Sequence, residues 1–464
     1  MRELRRRPRY RSALASLLVA WVLVVLSAPN AGQEAVAQPG PRPNIVVVMT
    51  DDQDAQSVRV MDAVRERLRH HGTTFKNFFA TFPLCCPSRA TFLTGQYAHN
   101  HGVRDNGPPD GGYERFEDSG TVAVSLARAG YRTGYIGKYL NGYHERRIPP
   151  GWGDWHVLTE AGMFDYELND NGRIRNYGSK PRNYQTDVFA RKAAHFIQSG
   201  SRQSRPFFLT VSPYAPHSEG KQPPRPAPRH RNRFRNARLP KPPSFNERRV
   251  SDKPAFVRRL PRLDRDAQRQ LRDLYRGRLR ALLAVDDAIE RIVRELRETG
   301  ELDNTLLIFT SDNGYLLGEH RLVKKTKLYE ESARVPLIMR GPGIPEGETR
   351  GQVTGNIDLT PTILDAANAD PRRVVDGISL FPLAQSAGVE SGRDILLENH
   401  SSSAVRTRRH MYAEHPNGEF ELYDLTADPF QLNSRHRDPR LALTRSRLEQ
   451  RLRQLRNCAG SSCH

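Results

Sequence analysis

Three short apolar runs, far apart in a chain of 464 residues, each stop at a cluster of polar side chains. Ile45 to Met49 is apolar at every position, the pattern of a strand buried on both faces, and it ends at Thr50-Asp51-Asp52. Phe207 to Val211 is followed by Pro213-Tyr214-Ala215-Pro216-His217, and Leu306 to Phe309 ends at Ser311-Asp312-Asn313-Gly314. Helical patterns lie between the runs. That alternation predicts an α/β fold with a large mixed, mostly parallel sheet sandwiched by helices. Sheets of this kind bind ligands outside the carboxyl ends of their strands. Asp51, Asp52, His217, Asp312 and Asn313 are therefore expected at one edge. A further strand is expected over Tyr131 to Ile136, ending in Gly137-Lys138-Tyr139.

The best-marked helix carries Leu271, Leu274, Leu282, Leu283, Ile289, Ile292, Val293 and Leu296 at helical spacing and stops at Gly300. Asp286 and Asp287 fall inside it, where paired carboxylates are more often structural than catalytic. From about Gly355 the pattern changes. Asn356 to Ala367 reads as a helix with an early proline, and Glu419 to Leu425 alternates like a half-exposed strand that Arg406 to Tyr412 can pair with. Arg440 to Arg456 reads as a basic terminal helix. The expected organisation is a catalytic α/β domain over residues 38–355, then a C-terminal part over 356–464 with a small α+β subdomain built on an antiparallel sheet.

The first residues read as an address. Six arginines between Arg2 and Arg11 precede an apolar run, Ser12 to Ala28, and Ala35-Val36-Ala37 offers a small-x-small cleavage site. A membrane anchor is the rival reading, since the run reaches the short edge of a spanning helix. The expectation is a signal peptide over 1–37 and an exported protein, secreted or associated with the cell envelope. Four cysteines are sparse for such a protein, and Cys458 and Cys463 are close enough for a small terminal disulfide. The formal charge is +20, and removing residues 1–37 takes away six arginines and two glutamates and leaves +16. That field attracts polyanions, including sulfated glycans. No nucleic-acid motif accompanies it, so a nucleic-acid partner is not expected. The basic, proline-rich stretch Arg225 to Arg238 reads as a solvated loop.

Asp51, Asp52, Asp312 and the Asn313 amide oxygen are hard donors. Three carboxylates and a neutral oxygen suit Ca²⁺, or less well Mg²⁺, rather than zinc. A lone Asp-Asp after a strand is more simply a cap or turn. Two such clusters at strand ends favour the metal.

Cys85-Cys86-Pro87-Ser88-Arg89 followed by Leu93-Thr94-Gly95 reads C-x-P-S-R-x-x-x-L-T-G, and every fixed position resembles the signature of the type I sulfatases. The resemblance spans roughly Asn44 to Asn433 and implies an alkaline phosphatase-like fold. It implies that Cys85 is oxidised by a maturation enzyme to formylglycine, whose hydrate attacks sulfur with one hydroxyl and expels sulfate through the other. An unmodified thiol has no such second leaving route, and sulfur is a poor ligand for a hard cation. By the same resemblance Asp51, Asp52, Asp312 and Asn313 hold the metal, usually calcium, with the converted Cys85 side chain completing the shell. Cys86 is then left as a buried thiol.

Sulfate ester cleavage builds negative charge on the transferred group and the leaving oxygen, so fixed cations and a proton donor are needed. Arg89, one helical turn from Cys85, can brace the hydrated aldehyde, and Lys138 is a candidate sulfate contact. Lys325 matches the second lysine of the family, with Lys324 and Lys327 as neighbours that confuse the alignment. His217 in Ala215-Pro216-His217-Ser218 matches the histidine that protonates the departing alcohol. One position departs from many arylsulfatases: Leu140 stands where they carry a histidine, with Asn141 the nearest polar substitute. That variant, the double cysteine and Tyr97-Ala98-His99-Asn100-His101 resemble the N-acetylglucosamine-6-sulfatase and heparan endosulfatase branch. His99 and His101 themselves read as structural. The branch implies a sulfated carbohydrate, such as 6-O-sulfated N-acetylglucosamine. The alternatives are a phosphate or phosphonate monoester hydrolase on the same scaffold and a non-catalytic polyanionic-glycan-binding protein.

Overall fold

The computed structural model describes residues 42–388 and 393–464. The expected signal peptide lies outside the described residues.

Ten strands form one sheet. They are β1 (Asn44–Thr50), β2 (Thr73–Phe79), β3 (Arg132–Gly137), β4 (Asp154–Glu160), β5 (Tyr166–Asp170), β6 (Arg173–Tyr177), β7 (Phe207–Ser212), β8 (Thr305–Ser311), β11 (Leu337–Arg340) and β12 (Glu348–Gly355). A two-residue hairpin, β9 (Leu316–Leu317) with β10 (Val323–Lys324), lies outside the sheet. The sheet order is β12-β2-β11-β8-β1-β7-β3-β4-β5-β6. From β8 to β4 every neighbour is parallel, and β5, β6 and β11 run antiparallel to their partners. The architecture is the one the apolar runs predict.

The middle strand explains why these runs are apolar throughout. Ile45, Val47 and Met49 enter one core, with Cys86, Ala90 and Leu93 of the helix Cys85–Thr94 and Leu359 and Ile363 of the helix Leu359–Ala367. Val46 and Val48 enter the other, with Val188 and Phe196 of the helix Gln185–Ser201 and Leu282, Val285 and Ile289 of the 34-residue helix Arg265–Glu298. Successive strand residues point to opposite faces, and both faces are covered. Each such side chain contributes about 1.5–3 kcal/mol by leaving water.

A second sheet of four antiparallel strands follows: β13 (Ile395–Glu398), β14 (Ser403–Arg406), β15 (His410–His415) and β16 (Glu419–Asp424). One face carries Leu396, Val405 and Leu422 against Leu448, Leu452 and Leu455 of the helix Ala442–Leu455. The other packs Ile395, Met411 and Tyr423 against Phe79, Tyr329 and Val353 of the main body. The segment Arg406 to Tyr412 is divided between two strands: the Thr407 amide donates to the His410 carbonyl at 2.9 Å and closes a turn there, and only its second half, His410 to Tyr412 in β15, pairs with β16 as expected. Cys458 and Cys463 form a disulfide.

Candidate active site

The carboxyl ends of β1, β8, β7 and β3 are neighbours in the sheet, and their following loops meet. Asp51 and Asp52 leave β1 at a sharp turn in which Asp52 has φ 68°, a region aspartate tolerates better than most residues. The kink is held from both sides. The Asp52 amide donates to Asp312 Oδ1 at 3.0 Å, and the Asp52 carbonyl accepts from the Arg278 guanidinium. In a straight strand these two carboxylates would face opposite ways. Here both approach one atom, Cys85 Sγ, at 3.4 and 3.9 Å.

Cys85 is the first residue of its helix, at the end where the helix dipole places a partial positive charge. The turn at the far end is closed by Gly95 at φ 71°. One helical turn in, Arg89 is fully buried: Nε meets Asp312 Oδ2 at 2.8 Å, Nη1 donates to the Lys138 carbonyl and to Ser212 Oγ, both at 2.6 Å, and Nη2 lies 3.7 Å from Asp51. Lys138 Nζ reaches Asp51 Oδ2 at 2.5 Å. Lys325 Nζ contacts Asp52 Oδ1 and lies 2.7 Å from Cys85 Sγ. Of the three clustered lysines it is the one that reaches the site: Lys324 is exposed and Lys327 lies over the Phe256 ring. His217 Nε2 stands 3.6 Å from Asp52 Oδ2, while Nδ1 is 2.7 Å from the Ser218 carbonyl. A carbonyl only accepts, so Nδ1 carries its proton and Nε2 is the exchanging nitrogen.

The cations set the charge states. Burial alone would raise the Asp51 carboxyl, but Lys138, His217, Arg89 and Lys325 together hold it well below the usual carboxylate range. Asp52 is also lowered, by Lys325 and His217 against burial. Asp312 goes the other way: burial and the nearby Asp51 charge raise it more than Arg89 and the lysines lower it. Burial and Asp51 push the Cys85 thiol up to about 12, and burial pushes Cys86 up to about 12.

The residues fit a divalent cation. One donor atom each from Asp51, Asp52, Cys85 and His217 lies within 4.8 Å of all the others. Asn313 Nδ2 donates to Asp52 Oδ1 at 2.8 Å, which leaves its Oδ1 buried without a hydrogen-bond partner. An orphaned buried carbonyl is costly unless something positive faces it. A dication would also relieve the repulsion that raises Asp312.

Other sequence candidates lie elsewhere. Leu140 packs in the aromatic-rich core beside Tyr139 and Tyr143, and Asn141 Oδ1 has no hydrogen-bond partner. His99 is bound to Glu398 and the Cys458 carbonyl, and His101, pushed down to about 3 by burial, sits on Thr91 Oγ1. Asp286 accepts from the amides of Ala63 and Val64, and Asp287 pairs with Arg229 and His230. Two supporting roles escape the sequence reading, one at a residue of the Cys85 motif and one far from it. Ser88 Oγ donates to the Asp312 carbonyl, and Arg278 bridges the carbonyls of Asp52 and Pro216 with its guanidinium 4.2 Å from the Tyr315 ring centroid. Arg278 leaves one visible trace. It occupies the buried seam of Leu271, Tyr275, Leu282 and Ile289, where a charge needs a reason.

The family model described as sulfatase matches residues 43–369, and that of the N-sulphoglucosamine sulphohydrolase C-terminal region matches 318–458. An arylsulfatase of Volvox carteri is 36% identical, covering 91% of this chain and 76% of its own. An N-acetylglucosamine-6-sulfatase of Homo sapiens is 33% identical, covering 91% of this chain and 86% of its own. A solved structure in complex with its substrate D-glucosamine-2-N,6-O-disulfate superposes with a TM-score of 0.78 at 26% identity, over 89% of this chain and 97% of that one.

Proposed function

The chain belongs to the sulfatase family and is a sulfuric ester hydrolase, and from that premise we propose that it removes the 6-O-sulfate of a glucosamine unit in a sulfated glycan. The observation that carries the reading is the convergence of Asp51, Asp52 and Lys325 on the Cys85 side chain, with Arg89 one turn behind it. Relatives that act on glucosamine 6-sulfates supply the substrate class, and the basic net charge suits a polyanion.

In this reading Asp51, Asp52, Asp312, Asn313 and the converted Cys85 side chain would hold a calcium ion, which would supply positive charge to neutralise the carboxylates and Lewis acidity toward the sulfate group. Conversion of Cys85 to formylglycine supplies a hydrated aldehyde, nucleophile in the first half of the reaction and sulfate-releasing group in the second. The chain's own residues do the rest. Lys138 and Lys325 present ammonium groups to the sulfuryl oxygens, where fixed charge in a water-poor site is worth most. Arg89, locked by four partners, keeps Asp312 and the start of the Lys138 loop in register with the helix that carries Cys85. His217, its Nδ1 proton pinned by the Ser218 carbonyl, offers the Nε2 proton to the departing sugar oxygen. Localisation outside the cytoplasm is part of the proposal, supported by the Cys458–Cys463 disulfide.

The test is turnover of matched 6-O-sulfated and 6-O-phosphorylated N-acetylglucosamine. The reading expects kcat/KM for the sulfate ester to exceed that for the phosphate by about a hundredfold, close to 3 kcal/mol of transition-state discrimination. Equal or preferential phosphate hydrolysis would instead make the protein a phosphate or phosphonate monoester hydrolase on the same scaffold.

A further inference from the structure

Lys325 stands in a stretch of backbone that its own sequence disfavours. His320, Arg321, Lys324 and Thr326 have φ of 51°, 63°, 78° and 75°, the left-handed region that residues other than glycine, asparagine and aspartate seldom enter. Thr326 is the costliest of the four, because its branched Cβ crowds the backbone there. Such a conformation persists only where the surroundings over-determine it.

The surroundings hold Thr326 on both sides of its Cα. Its amide donates to the carbonyl of Pro83, two residues before Cys85, at 3.0 Å. Its carbonyl accepts from Asn399 Nδ2 at 2.9 Å. Asn399 is buried in the turn between β13 and β14. Its Oδ1 accepts the amides of Ser401 at 3.0 Å and Ser402 at 2.8 Å, so the side chain cannot rotate away without opening that turn. The same turn is fastened to the approach to Cys85, since the Glu398 amide donates to the Thr81 carbonyl at 2.8 Å. The other end of the strained stretch is pinned separately, by Arg321 on the carbonyls of Glu247, Arg248 and Leu260.

We propose that Asn399 is a positioning residue for the sulfatase reaction: by holding the Thr326 carbonyl it keeps the preceding residue, Lys325, against the Cys85 side chain. The C-terminal sheet thereby contributes to the reaction through a hydrogen bond rather than through a group that meets the substrate. The inference rests on the reading of Lys325 as a sulfate contact.

The discriminating variant is Asn399→Asp. It keeps the Oδ1 acceptor for Ser401 and Ser402 and replaces the donor facing Thr326 by an acceptor, so the turn survives and the hold is lost. Thr326→Gly, added to it, removes the cost of the positive φ, and the loop then no longer depends on the hold. For Asn399→Asp, kcat on a sulfate ester is expected to fall about tenfold to a hundredfold with little change in KM. Protection of the Thr326 amide against hydrogen exchange should fall with it. The double variant should recover at least about threefold in kcat. Unchanged kcat in Asn399→Asp overturns the proposal, whether or not exchange at Thr326 responds, and leaves the sulfatase reading intact. A loss that Thr326→Gly does not restore also overturns it, by reducing Asn399 to a turn residue. Failure of the parent protein, with Cys85 converted, to release sulfate from any ester overturns the reading and the proposal together.

Discussion

Arg278 ties three of the loops that build the site, and Arg278→Met measures what that tie is worth. Arg278 is 2% exposed, and its guanidinium donates to the carbonyls of Asp52 and Pro216 and covers the Tyr315 ring at 4.2 Å. Methionine fills the stem and removes the donors. Two charge-assisted hydrogen bonds at about 1.5–3 kcal/mol each and a desolvated cation–π contact of about 2 kcal/mol are lost. Relief of the desolvation of a buried guanidinium, several kcal/mol, offsets part of this. The net expectation is a protein less stable by about 2–4 kcal/mol, seen as a thermal midpoint lower by roughly 2–5 °C. Activity should suffer more than folding. With its carbonyl released, the Asp52 backbone is held by its amide bond to Asp312 alone, and His217 sits one residue from the other freed carbonyl. Displacement of such groups by about 1 Å costs on the order of a hundredfold in kcat/KM. Differential scanning fluorimetry and steady-state kinetics on purified protein read both quantities. A variant with the parent's midpoint and the parent's kcat/KM refutes the reasoning, because a buried brace cannot be removed without consequence.

Two further outcomes follow from the same structure. Removal of divalent ions with EDTA should abolish turnover and lower the thermal midpoint, and Ca²⁺ should restore both, since a ligand of the native state alone adds about 2.7 kcal/mol at a hundred times its Kd; full activity in metal-free protein contradicts the metal assignment. His156, between Asp154 at 3.0 Å and Asp170, has burial working to lower its pKa and the two carboxylates raising it above the ordinary histidine value. A group raised in the folded state contributes all of its stabilisation below its unfolded pKa of about 6.5 and loses it as pH rises through the folded value. The stability difference between the parent and His156→Gln, from urea unfolding, should therefore be larger at pH 5.5 than at pH 9, and the reverse order contradicts it.

The parts of this molecule that the sequence reveals are those with strong local chemistry. Ile45–Met49 is legible because burial on both faces leaves no polar position, and the structure extends it only to Asn44–Thr50. The helix Arg265–Glu298 is legible from its leucine spacing. β12 is not, because Glu-Thr-Arg-Gly-Gln-Val-Thr-Gly is mostly polar and becomes a strand only by pairing with β2. The division of Arg406 to Tyr412 into two strands is hidden for a similar reason: Thr407, Arg408 and Arg409 carry no glycine or proline to announce a turn. At the site, residues that touch the reacting centre stand in compact motifs, whereas those that hold the motifs in place come from anywhere in the chain. Asn399 lies 73 positions from the carbonyl it holds, and no local pattern marks it. Positive φ at Thr326 runs against local preference altogether, so only the tertiary contacts disclose it.

The central claim is that position 85 is no longer cysteine in the active protein. Peptide mass spectrometry of the Cys85-containing fragment, on protein that releases sulfate from an aryl or sugar ester, tests it most directly. The expected result is the mass of an aldehyde in place of the thiol, in proportion to activity across preparations. An intact cysteine in a fully active preparation would contradict it and leave the chemistry proposed for this site without its nucleophile.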